Sequence, residues 1–135
     1  MSLTTIHPAG MPRPSGYSYG VRAEGGATLY IAGQIAWDAG RRMVGVGDIV
    51  RQFEQTLVNF QAVVVAGGGT LRDVVKLTIY VLDKKDYFAK AQAIGAVYRK
   101  FFGDHYPAMT LVEVRDLAEK DQLIEIEGVA VVGAR

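Results

Sequence analysis

Five strand-like stretches share this chain with only two helix-like ones, so helices can cover one face of any sheet it forms and no more. The helices are legible from spacing. Asp48 offers a carboxylate to first-turn amides, and behind it Ile49, Phe53, Leu57, Phe60 and Val64 recur every three or four residues. The run Gly67-Gly68-Gly69 stops that stripe. A second helix is expected over 83–102, with Tyr87, Ala91, Ile94, Tyr98 and Phe101 on one side and Gly103 beyond its end. Strands are expected over 17–22, 28–36, 74–82, 109–114 and 122–132, the first two joined as a hairpin through Glu24-Gly25-Gly26. Residues 8–14 hold three of the four prolines and read as an irregular lead-in, and 38–47 reads as a loop. The order is ββαβαββ: one α+β domain over residues 1–135, a mixed sheet with two helices on one face.

The uncovered face then becomes the question. In 122–132, Ile124, Ile126 and Ala130 alternate with Glu125, Glu127, Val129 and Val131. In 74–82 both alternating sets read as largely apolar. A sheet with two apolar faces and one helical layer needs a partner, and another copy of the chain is the simplest one.

Charge narrows the partners further. Fifteen Lys and Arg against fourteen Asp and Glu leave a net charge of +1, with the basic residues scattered. Such a balance gives no field for nucleic acid, and none is expected as a partner. With no cysteine, disulfides, thiolate zinc sites and a cysteine nucleophile are excluded. The longest strongly apolar run, residues 62–66, is too short to cross a bilayer, and the first ten residues lack the apolar core of a secretory signal. A cytoplasmic protein without membrane contact is expected.

Several motifs have plainer readings. Gly16-Tyr17-Ser18-Tyr19-Gly20 has the letters of a nucleophile elbow, but prolines precede it and more strand follows, where an elbow needs a strand before and a helix after. The glycines at 67–69 follow a helix and precede a strand, the reverse of a phosphate loop. His7 and His105 show no ligand spacing, so no metal and no cofactor is expected. Glu125 and Glu127 carry more interest, since they share a strand face with valines. Their plainer reading is a solvated sheet rim.

One resemblance draws these letters together. Tyr17, Ile31-Ala32-Gly33-Gln34-Ile35, Gln52, Leu57, Asn59 and Ala66-Gly67 stand in the order and spacing of the RidA/YjgF family, also labelled endoribonuclease L-PSP-like. The stretch from Asp73 to Asp83, then Pro107-Ala108 and Ile124-Glu125-Ile126-Glu127, complete the pattern, which runs from Tyr17 to Val132. The resemblance implies a chorismate-mutase-like fold and a homotrimer with small-molecule clefts between subunits. In its deaminase members an imine or enamine acid is hydrolysed there. An Arg after the Pro-Ala pair grips the substrate carboxylate, and a Glu of the last strand holds the attacking water.

This chain departs from the deaminase pattern at a decisive place. Met109 follows Pro107-Ala108 where the Arg would stand, and Ala32 replaces the usual Ser before Gly33-Gln34. A thioether is a weak acceptor and cannot anchor an anion. By the resemblance, Glu125 is the catalytic candidate, and Tyr17, Ala32, Gly33, Gln34, Met109 and Thr110 line the cleft. Glu127 is expected to serve structure. Two readings stay open: an imine or enamine hydrolase without the carboxylate anchor, and a non-catalytic module that binds a metabolite. The even charge argues against the ribonuclease that the family label suggests.

Overall fold

The computed structural model describes residues 2–133. Four strands form the main sheet: β3 (Ala27–Gln34), β4 (Val74–Val81), β5 (Ala108–Glu113) and β6 (Ile124–Val132), in the order β3-β6-β4-β5. β6 runs antiparallel to both its neighbours, while β5 is parallel to β4. A parallel pair needs a crossover, and the second helical region supplies it. Before the sheet, β1 (Ser2–Ile6) and β2 (Gly20–Glu24) pair antiparallel as a separate ribbon.

Helix α1 (Ile49–Ala66) forms as its spacing requires. The Asp48 carboxylate accepts from the Val50 and Arg51 amides, each at 3.1 Å. At the other end the Gly69 amide donates to Val64 and the Gly68 amide to Val65, the paired bonds of a Schellman stop. The apolar stripe is fully sequestered: Phe53, Leu57, Phe60 and Val64 pack on Leu77, Ile79, Ile124 and Ile126 of the sheet. Burying such side chains contributes roughly 1.5–3 kcal/mol each, and this layer is the core.

The architecture is α+β with the helices on one face, as expected, but four details differ. β1 adds a strand that the ββαβαββ order lacks. β2 takes β1 as its partner, so the chain passes through Gly25-Gly26 without closing a β2–β3 hairpin. The second helix is two helices, α2 (Lys84–Ala89) and α3 (Ala91–Phe102), broken at Lys90. That residue leaves helical geometry at φ −110° and ψ 22°. The break lets Tyr87 meet Phe53 edge-on at 6.2 Å while Ile94, Tyr98 and Phe102 turn to the core. Finally, Val75 sits at a bulge between Val74 and Lys76, in the pairing with β6.

That bulge takes Val74 off the open face. Because it resets the alternation, Val74, Leu77, Ile79 and Val81 all point to the helices. The opposite set is Lys76, Thr78 and Tyr80, so this strand is one-sided rather than apolar on both sides. The expectation of an apolar second face is corrected to a mixed one.

Candidate functional site

On the face away from the helices the register lays out three rows. Ala108, Lys76 and Val129 stand side by side, then Thr110, Thr78 and Glu127, then Val112, Tyr80 and Glu125. Lys76 Nζ donates to Thr110 Oγ1 at 2.9 Å, and the Tyr80 hydroxyl donates to Glu127 Oε1 at 2.6 Å. The bond to Glu127, with some desolvation, raises the Tyr80 pKa above its ordinary value, so the phenol stays a neutral donor. Tyr30 on β3 leaves 78% of its surface exposed.

The two glutamates of β6 have different surroundings. Glu127 is exposed and accepts from the Tyr80 hydroxyl. Glu125 is half-buried, and its Oε1 accepts from Gln122 Nε2 at 3.0 Å. Its other oxygen lies over Gly33, so close that a β-carbon there would overlap it. The glycine makes room for the carboxylate.

Gln122 is itself almost fully buried. Its carbonyl accepts from the Glu119 amide at 3.1 Å, and its NH2 also reaches the Ile124 carbonyl at 3.2 Å. A second buried amide, Gln52 of α1, donates to the carbonyls of Gly45 and Asp121 and accepts from the Leu123 amide at 2.9 Å. The turn leading into β6 is therefore pinned to the first helix from both ends.

The other expected residues fall into two groups. Ala32, Gly33 and Gln34 sit at the irregular end of β3, where the pairing with β6 slips between Ile31 and Gln34, beside Glu125. Gln34 Nε2 donates to the Ala32 carbonyl at 3.2 Å. Tyr17, Met109 and Thr110 lie at the β5 side instead. Tyr17 packs edge-on against Tyr19 at 5.6 Å, and its neighbour Ser18 donates from its amide to Pro107 at 3.1 Å. It lines an open groove of about 870 Å³ with His7, Arg13, Arg72 and Tyr106. Met109 is paired in register with Leu77 and packs on the core, so it points to the helices while Glu125 points away from them. A single protomer does not bring Met109 and Glu125 together on one face.

Sequence reasoning missed Gln122, Tyr80 and Lys76 as parts of this face. Tyr80 and Lys76 fall in one alternating set of their strand, but with Val74 and Leu82 counted beside them that set reads as apolar. A lone glutamine ahead of a strand gives no periodic signal at all. Among the described residues no group of three His, Asp or Glu could hold a metal ion, and no helix is long and apolar enough to cross a membrane.

Comparison with known proteins fits this architecture. The family model Endoribonuclease L-PSP matches residues 11–132. A RutC family protein of Pyrococcus horikoshii is 44% identical over 88% of this chain and 90% of its own length. A protein of Dermatophagoides farinae named 2-iminobutanoate/2-iminopropanoate deaminase is 34% identical, with 90% of each covered. Among solved structures, the Rid family protein YyfB of Yersinia pestis superposes with a TM-score of 0.87 at 36% identity, covering 98% of this chain and all of that one. The fold is accordingly of the chorismate-mutase-like kind. With the family model spanning nearly the whole chain and the helix-backed sheet shared with YyfB, this protein belongs to the RidA/YjgF family.

Proposed function

We propose that the protein hydrolyses a small imine or enamine in a cleft formed between copies of the chain, with Glu125 as the group that holds and deprotonates the water. The placement of Glu125 carries this reading: a half-buried carboxylate held between Gly33 and Gln122 on the open sheet face. A carboxylate so fixed can take a proton from water as the oxygen adds to the imine carbon, and pass it to nitrogen to give a carbinolamine. It can then take the proton of the new hydroxyl group and deliver it to nitrogen as the carbon–nitrogen bond breaks and the carbonyl forms, so that imine and water give a carbonyl compound and ammonia. The deaminase name of the Dermatophagoides relative belongs to this chemistry.

The division of the expected residues between the β3–β6 and β5 sides supports an intersubunit cleft, because edges of two protomers facing each other would join the halves. We therefore expect a homotrimer, each contact burying more than about 1,000 Å² in total. Sedimentation equilibrium should give three times the 14.7 kDa chain mass. A stable monomer at micromolar concentration defeats the proposal.

The substrate should lack the carboxylate that deaminase substrates carry, since Met109 offers no cation and points to the core. Turnover of 2-iminopropionate is expected to be weak or absent. Met109→Arg should introduce binding of small carboxylates, its long stem replacing the methionine while the guanidinium reaches the sheet edge. A panel of imines with and without a carboxyl group, each assayed by ammonia release, tests the reading. Turnover of 2-iminopropionate at a rate typical of enzymes, about 1–1000 per second, would count against the argument from Met109. The same observation at Met109 favours the alternative, a binding module for an uncharged metabolite. That alternative prevails if binding is detected and no imine in the panel is hydrolysed.

A further inference from the structure

We infer that Gln122 is a positioning residue for the Glu125 carboxylate, fixing which oxygen of that group is free for water. The inference rests on the reading of Glu125 as the catalytic group, and extends it to a residue that the family resemblance did not mark. Its basis is geometry. Gln122 is only 1% exposed, and its NH2 divides its donors between the Ile124 carbonyl and Glu125 Oε1. Its carbonyl is occupied by the Glu119 amide, which sets the orientation of the side-chain amide and leaves the NH2 facing β6. A glutamate at the start of a strand has three side-chain torsions to order, and an uncommitted carboxylate would sample several rotamers. Here one oxygen is tethered to a buried amide and the chain is pressed along Gly33, so a single orientation is selected.

A hydrogen bond to an ionised group is stronger than one between neutral partners. Gln122 thus holds the direction of the Glu125 side chain more firmly than a neutral pair would. The other titratable side chains on that sheet face are Tyr80, opposite Glu125 in register, Glu127, two residues along β6, Lys76 two rows away, and Tyr30 of β3, beside Val129. Of these, Tyr80 bonds to Glu127 and Lys76 to Thr110. Between Gly33 and Gln122, the buried amide donates to Glu125.

The test begins with the unmodified protein, so it does not depend on any variant folding. Nitrogen-15 detection follows the Gln122 NH2, and carbon-13 detection follows the Glu125 side-chain carboxyl. A coupling across the Gln122–Glu125 hydrogen bond and slow solvent exchange of the Gln122 NH2 should be seen. An NH2 that exchanges as an exposed amide does overturns the inference. In Gln122→Met, which keeps the length and removes the donors, the Glu125 carboxyl resonance should shift and broaden as the side chain samples several rotamers. A purely structural role would lower the stability of the variant and leave that resonance in place. Once a substrate is known, Gln122→Met should lower kcat at least about 10-fold with KM little changed. If Glu125→Gln is inactive and Gln122→Met keeps full kcat, the positioning inference fails alone. If Glu125→Gln is fully active, the catalytic reading itself has failed and takes the inference with it.

Discussion

Glu125→Gln should abolish at least about 99% of imine hydrolysis while leaving the assembly intact, and Glu127→Gln should do the opposite. The two residues share a strand face and lie only about 6.5–7 Å apart along it, so proximity does not explain the difference. Their surroundings do. Glu125 is half-buried, tethered to a buried amide and seated on a glycine that leaves room for it. Replacing its carboxylate by an amide keeps the volume and removes the base. Glu127 is exposed and accepts from Tyr80. An amide there can still accept that bond, so turnover should stay within about three-fold, and the loss should appear as easier dissociation of subunits on dilution. Ammonia release and sedimentation measured on both variants decide the matter. Equal loss of turnover in both, with sedimentation unchanged, means the roles are wrongly divided between them.

The largest effect on stability is expected at Gly128. An alanine β-carbon there would come within 2.6 Å of the Lys76 carbonyl oxygen and 2.8 Å of the Phe60 ring. The carbonyl belongs to the neighbouring strand and cannot swing aside as a side-chain tip can. Phe60 is completely buried under the sheet. Relief requires β6 to move off β4 or the ring to leave its rotamer, and overpacking of this sort costs about 1–3 kcal/mol, sometimes more. Gly128→Ala should sit at the upper end, near ~3 kcal/mol, and lower the Tm by roughly 10 °C. Gly20→Ala is the matched control, since its β-carbon would meet Ile6 at an ordinary 3.5 Å. Urea denaturation that places Gly128→Ala within about 1 kcal/mol of the unmodified protein would show that the strands part more readily than their packing implies.

These two sites were not equally legible beforehand. The first helix could be read residue by residue, because its cap, its stripe and its stop are local signals that burial then reinforces. The sheet was harder. A bulge at Val75 turns Val74 to the helix side without any glycine or proline to announce it, and the set that remains on the open face, Lys76, Thr78 and Tyr80, is more polar than expected. The ribbon of β1 and β2 was missed for a related reason. Residues 2–6 are short and largely exposed, so no apolar alternation marks them, and Glu24-Gly25-Gly26 reads as a hairpin turn whether or not β3 is the partner. The helix break at Lys90 serves a tertiary contact, Tyr87 on Phe53, that no local window contains. Glu125 stood out with Glu127 from the strand pattern, and only resemblance to a family set it apart. The buried amide beside it has no sequence signature, because hydrogen bonds between a turn and the strand that follows leave composition unchanged.

The pinning of that turn also bears on where this chemistry can be moved. Gln52 ties the turn to the first helix, Gln122 ties it to the carboxylate, and Gly33 supplies the floor from a third segment. A site so divided cannot travel as a loop. Grafting residues 119–125 alone onto another scaffold would carry the glutamate without the helix that holds its turn or the glycine beneath it. A recipient would have to reproduce three separate stretches of backbone in the same relation. Directed evolution starting from this chain should therefore alter its specificity more easily from the β5 edge, where side chains change without disturbing those ties, than from the end of the sheet that carries Glu125.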